Sequence, residues 1–139
     1  MLKDIKQYLT IVENSFTYNS TDNRSEQVSQ FVSYTLDRLG CESIPTIELS
    51  YNIDTVKQNR SFGNLDPTTG KIWVYVANRN LADILRTICH EIVHYKQLED
   101  GKLSGIDDGR DGSPIENEAN SVAAVIMREY GRSNPEIYE

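Results

Sequence analysis

Apolar residues recur at helical spacing in several stretches of the chain. Residues 2–12 and 24–39 are predicted to form two helices, and Gly40 suits the left-handed position that often follows a helix end. Asn80 is predicted to cap a longer third helix. The apolar stripe of that helix consists of Leu81, Leu85, Ile88 and Ile92.

A last helix is predicted to begin at Ser113, with Pro114 in its first turn, and to end at Gly131. Its apolar residues fall on one face, which is predicted to be buried: Ile115, Ala119, Val122, Ala123, Ile126 and Tyr130. Residues 133–139 carry no pattern and are expected to be disordered.

Between the second and third helices the apolar pattern alternates, as is typical of strands. Residues 46–51 form one predicted strand, residues 61–64 carry a weaker strand signal, and residues 66–70 have turn chemistry. The strongest strand consists of Ile72, Trp73, Val74, Tyr75 and Val76. This order of elements predicts an α+β fold in which residues 1–139 form one domain, with a small, mostly antiparallel sheet packed on the third helix.

Composition narrows the choice of partners. The chain has 139 residues, a net charge of −7 and no block of Lys and Arg, so nucleic acid is not an expected partner. It shows neither a signal peptide nor an apolar run long enough to cross a bilayer, so a membrane is not expected either. Two cysteines do not make a disulfide framework. A cytoplasmic location is therefore expected, and the oligomeric state is left open.

The third helix carries the most specific motif, His90-Glu91-Ile92-Val93-His94, which contains both histidines of the chain. Residues four apart lie on one face of a helix, so His90 and His94 can bind one metal ion together. Zinc accepts imidazole nitrogens, and a catalytic zinc keeps one position for water. Glu91 would be the general base that activates that water.

A catalytic zinc needs a third protein ligand, and a carboxylate must serve because the chain has no third histidine. On a helical wheel Glu116 lies within about 50° of the centre of the last helix's apolar face, whereas Glu118 lies roughly 110° away. The wheel favours Glu116, and Glu118 stays open as the alternative.

His90-Glu91-x-x-His94 followed by Glu116-Asn117-Glu118-Ala119-Asn120 resembles the gluzincin zinc metallopeptidases in a small, minimal form. The likeness extends from the strand at residues 72–76 to the last helix, and it also fits small intracellular metallopeptidases that cleave a regulator. It implies a zincin-like fold, Glu116 as the third ligand and Asn120 as the residue that supports a histidine from behind. It also implies that Ile72 to Val76 are the edge strand that pairs with an extended peptide substrate.

One part of the thermolysin-like pattern is missing, because no further histidine remains to stabilise the oxyanion. Four other residues could substitute: Tyr95, Arg110, Arg128 and Tyr130. The predicted function is zinc-dependent hydrolysis of peptide bonds, by an endopeptidase of a specific intracellular protein.

Four alternatives remain from the sequence. The chain could be a helical interaction domain that binds no metal. The domain could hold zinc without catalysis and bind a protein partner. Glu116 could merely complete a capping box with Ser113. Residues 107–118 could form an EF-hand-like calcium loop, although Gly109 stands where an oxygen ligand is expected.

Overall fold

The computed structural model describes residues 24–103 and 113–139 with their side chains, and residues 16–18 by their backbone alone. The helix predicted at residues 2–12 lies outside the described residues. Most of the loop before the last helix lies outside them as well, including Arg110 and the start of the calcium-loop pattern.

The described chain has helices and strands in the mixed order expected of the α+β class, and that prediction is confirmed. The helices are α1 (Ser25–Leu39), α2 (Ile53–Asn59), α3 (Leu81–Glu99) and α4 (Pro114–Ser133), and a short 3-10 helix (Pro135–Tyr138) follows them. The strands are β1 (Phe16–Tyr18), β2 (Ile47–Ser50), β3 (Gly63–Leu65) and β4 (Ile72–Tyr75).

Three predicted helix ends, at Gly40, Asn80 and Ser113, are confirmed. Gly40 has a φ of +71° and ends α1 in the left-handed region. The Asn80 side chain accepts a hydrogen bond from the backbone N–H of Asp83 and so caps α3. Ser113 caps α4 in the same way, by accepting from the N–H of Glu116.

The sheet is mixed, so the expectation of a mostly antiparallel sheet is wrong. Its strand order is β1-β2-β4-β3; β2 lies parallel to both β1 and β4, and only the β3–β4 pair is antiparallel. Helix α1 connects β1 to β2, and a helical crossover returns the chain to a parallel neighbour. Only β3 and β4 are joined by a tight turn, as an antiparallel hairpin requires.

The predicted position of the strongest strand is also wrong. β4 lies inside the sheet, with β2 on one side and β3 on the other, so its backbone has no free edge for a peptide. Ile72, Val74 and Val76 lie in the hydrophobic core, Tyr75 is buried and Trp73 is half-buried. Of the described strands, β3 forms the edge on this side. The continuous apolar character of β4 was the signal of an interior strand.

Two predictions at the C-terminus are wrong for a shared reason. Gly131 lies inside α4, and the chain after α4 forms the 3-10 helix, with Ile137 buried. A Cβ on Gly131 would lie 2.7 Å from the Tyr138 hydroxyl oxygen. Glycine at this position therefore allows Tyr138 to pack closely against α4, and it does not end the helix.

Helix α3 lies at the centre of the described fold. It contacts β3, β4, α1, α4 and the 3-10 helix. Its predicted apolar stripe is buried, and so are Glu91 and His94 on another side. None of the helices in the described part of the chain is long and apolar enough to cross a membrane.

Candidate metal centre

Two helices bring three metal-binding side chains together. His90 and His94 extend from α3, and Glu116 extends from the first turn of α4. One ligand atom from each residue lies within 4.8 Å of the other two. The predicted third carboxylate therefore does lie beside the two histidines.

The individual distances are close to those of a tetrahedral site. The Nε2 atoms of His90 and His94 lie 3.1 Å apart. The Glu116 carboxylate spans both rings, with Oε1 3.0 Å from Nε2 of His90 and Oε2 2.9 Å from Nε2 of His94. Donors about 2.0–2.1 Å from a tetrahedral zinc are about 3.3–3.4 Å from each other, so a small outward movement would admit an ion.

Gln97 fixes the ring of His94, and the sequence reasoning missed it. Its Oε1 lies 2.7 Å from Nδ1 of His94. Its Nε2 donates to the Ile115 carbonyl and to Oε1 of Glu118, at 3.1 and 2.9 Å. Because both partners of the Gln97 nitrogen are acceptors, the oxygen must face the histidine, so Nδ1 of His94 carries the proton and Nε2 keeps its lone pair for a metal. The only sequence signal was the three-residue spacing from His94 on one helix face.

Asn120 and Glu118 occupy the outer part of the site. The Asn120 side chain hydrogen bonds to His90 and favours its charged form. The supporting role that the gluzincin resemblance implies for Asn120 stays a prediction. Glu118 contacts Gln97 and lies 4.0 Å from the Lys102 ammonium, and it is not part of the three-residue cluster.

The electrostatics of the cluster favour an added cation. Burial, and to a smaller extent the negative charge of Glu116, raise the pKa of Glu91 from 4.5 to about 8. Burial and the neighbouring His94 lower the pKa of His90, which favours the neutral imidazole that metals bind. A cation between these groups would lower the pKa of Glu91 and would accept the lone pairs of both rings.

Gly63 on the edge strand closes over Glu91. A Cβ at this glycine would lie 2.6 Å from Cγ2 of Thr87 and 3.1 Å from Cγ and Oε2 of Glu91. The strand can therefore approach the helix this closely only because residue 63 has no side chain. The sequence signal was a glycine within a weak strand pattern.

The backbone N–H and C=O of Gly63 point away from the sheet. Hydrogen bonds from Tyr75 N to Phe62 O and from Asp66 N to Lys71 O show that residues 62 and 66 point toward β4, so residue 63 points outward. The Ser61 hydroxyl donates to the Gly63 carbonyl at 2.8 Å and accepts from its N–H at 3.3 Å. A peptide that pairs with this edge would take the place of the hydroxyl.

The three described residues suggested for oxyanion stabilisation do not gather at the cluster. The Tyr95 hydroxyl contacts Ser43 Oγ, and Tyr130 packs edge-on against Phe31 with ring centroids 4.9 Å apart. Arg128 is exposed on α4. The last candidate, Arg110, falls within the loop that is not described.

Comparison of the chain with protein-family models, with curated proteins and with solved structures finds no match.

Removal of the carboxylate ligand should lower metal affinity most. We expect Glu116→Ala to weaken zinc binding by more than about 100-fold and Gln97→Leu by about 10- to 100-fold, the range usual for residues that orient a ligand. Glu118→Ala should have the smallest effect, because Glu118 contacts Gln97 and not the histidines. Competition with a fluorescent zinc chelator measures all three. Equal or larger loss in Glu118→Ala would contradict this ligand assignment.

The raised pKa of Glu91 should make the metal-free protein less stable as pH rises. The folded chain keeps this proton to about pH 8, whereas the unfolded chain loses it near pH 4.5. Between these values ionisation favours unfolding, by at most about 1.4 kcal/mol per pH unit. Urea unfolding in the presence of a chelator, compared between wild type and Glu91→Gln, isolates this effect because both proteins retain His90. Parallel pH profiles for the two proteins would contradict it.

Gly63→Ala should lower the free energy of unfolding by about 1–3 kcal/mol, because the new methyl group overlaps Thr87 Cγ2. Thr87→Ser removes that methyl and keeps the hydroxyl, so it should recover part of the loss in the double variant. Thermal unfolding of the two single variants and the double variant measures this coupling. Strictly additive losses would show that β3 does not lie this close to α3.

Proposed function

We propose that the protein is a zinc-dependent peptidase that hydrolyses a peptide bond within an extended protein segment. The observation that carries the proposal is the convergence of His90, His94 and Glu116 beside the buried carboxyl of Glu91. Three protein ligands leave one zinc position open, which is the pattern of catalytic zinc sites and not of closed structural ones.

Zinc in this site would act as a Lewis acid toward water and toward the scissile carbonyl. Glu91 would accept a proton from the attacking water as the C–O bond forms. It would then deliver that proton to the nitrogen that leaves as the C–N bond breaks. Gln97 would hold the His94 imidazole in the orientation that presents Nε2 to the metal, and Asn120 would support the His90 ring.

The edge strand β3 is proposed to receive the substrate, in place of β4. Gly63 presents its N–H and C=O outward and lies against Glu91, so an extended peptide paired there would pass over the general base. If the Ser61 hydroxyl moved aside, the N–H and C=O of Gly63 would be free to hydrogen bond with the backbone of such a peptide. The free cysteines Cys41 and Cys89 are both buried, which is compatible with the proposed cytoplasmic setting.

The test compares wild type with Glu91→Gln for both zinc content and peptide cleavage. We expect about one zinc per chain in both proteins and cleavage of a mixed peptide library by wild type alone, with a loss of at least about 100-fold in the variant. Glu99→Gln, a change of the same kind at the far end of α3, is the matched control and should cleave normally.

Each of three other outcomes would contradict the proposal. Zinc in both proteins without cleavage by either would support the alternative, a zinc-holding module that binds a protein partner. Cleavage by Glu91→Gln at the wild-type rate would remove Glu91 from the mechanism. Wild type that binds no zinc at stoichiometric levels would overturn the metal site itself.

A further inference from the structure

Three cationic residues lie close to the start of β3, Lys57 and Arg60 in sequence and Arg79 through its contact with Phe62. Lys57 lies near the end of α2, Arg60 follows that helix, and Arg79 precedes α3. No carboxylate oxygen of any described residue lies within 4.0 Å of these three side chains. The charge of Asp83 acts on Arg79 from beyond that distance. Because the chain as a whole has a net charge of −7, three cations without a close ion pair are a specific feature near this end of β3.

Arg79 is held in place by its own hydrogen bonds. Its Nη1 donates to the Tyr75 carbonyl at 2.9 Å, and its Nη2 donates to the Asp83 carbonyl at 3.2 Å and to Thr87 Oγ1 at 2.8 Å. These bonds use three of the five N–H groups of the guanidinium and leave two. A cation already fixed by its own protein loses little further conformational freedom when it binds an anion.

Phe62 connects this cation to the proposed substrate path. The Arg79 guanidinium carbon lies 4.4 Å from the centre of the Phe62 ring, and that ring is 48% exposed. Phe62 directly precedes Gly63, whose Cβ position lies against Thr87 and Glu91. Arg79 therefore contacts Phe62, and the neighbouring Gly63 lies against the buried general base.

The distance from Arg79 to the two histidines can be expressed in substrate residues. Thr87 accepts a hydrogen bond from Arg79 and so marks the position of Arg79 along α3. It precedes the midpoint of His90 and His94 by five residues, which is about 7.5 Å along a helix. An extended chain advances about 3.4 Å per residue. A side chain near Arg79 would thus belong to a residue about two positions from the scissile bond.

Burial adds a reason for this cation to bind an anion. The pKa of Arg79 is lowered by burial, because its surroundings solvate the charge less well than water does. A carboxylate at hydrogen-bonding distance would offset that loss of solvation.

We infer that the substrate segment carries an Asp or Glu about two residues from the cleaved bond, and that Arg79 binds this carboxylate beside Phe62, within the positive field of Lys57 and Arg60. This inference rests on the proposed function for its cleavage position. The binding of an acidic peptide at Arg79 does not depend on catalysis.

The binding experiment uses zinc-loaded Glu91→Gln protein, so that no peptide is cleaved. The probes are two sets of fluorescein-labelled decapeptides, randomised at every position except the fifth, which is Glu in one set and Gln in the other. Fluorescence anisotropy should give roughly tenfold tighter binding of the Glu set, as expected for one hydrogen bond between charged groups. The preference should decrease between about 20 and 300 mM salt.

Pairs of arginine variants show which side chain causes the preference for the Glu peptides. Arg79→Gln should abolish it, whereas Arg86→Gln should retain it, because Arg86 is exposed and already paired with Asp83 at 2.8 Å. Circular dichroism checks that the Arg79 variant folds, since that side chain also binds backbone carbonyls. Independently of that variant, Arg60→Glu should reduce the preference and Arg132→Glu should not, because both arginines are exposed but only Arg60 lies close in sequence to the start of β3.

Equal binding of the two peptide sets, or equal losses at Arg79 and Arg86, would overturn the inference. Cleavage sites found by mass spectrometry with wild type separate it from the proposed function. Cleavage without enrichment of acidic residues would reject the acidic-subsite inference alone. Tight binding of the Glu set without any cleavage by wild type would reject the peptidase function alone.

Discussion

The packing of α4 against α3 is the contact on which the centre depends. Two histidines one turn apart provide only two donors, and the third comes from a helix that begins 24 residues after His90 in the sequence. Buried alanines on α4, Ala119 and Ala123, permit a close approach of the two helices. The Ser113 cap starts α4 at the point where Glu116 reaches both rings. The packing of α4 on α3 therefore also sets the position of the third ligand relative to the two histidines.

The sequence predicted those parts that depend on local residue types. Caps at Asn80 and Ser113, the left-handed Gly40 and the histidine spacing are all decided within a few residues. The choice of Glu116 over Glu118 followed from which face of α4 is buried. These features were predictable because a short segment sets its own hydrogen bonds and its own apolar face.

The features that were missed depend on distant partners. Strand order and direction follow from β1 and from the α1 crossover, which the pattern of apolar residues did not reveal. Helix α2 has no buried residue and hence no apolar stripe to predict it. Gln97 acquires its role only because α4 places Ile115 and Glu118 beside it. Gly131 resembled a helix end because sequence does not show that Tyr138 returns against it.

The most direct test of the account is X-ray absorption spectroscopy at the zinc edge of the purified protein loaded with one equivalent of zinc. We expect four nitrogen or oxygen ligands at about 2.0–2.1 Å, two of them imidazoles, and no sulfur. Glu116→Ala should lose one oxygen ligand or the ion itself. A zinc–sulfur distance near 2.3 Å, or a single imidazole ligand, would contradict the site formed by His90, His94 and Glu116.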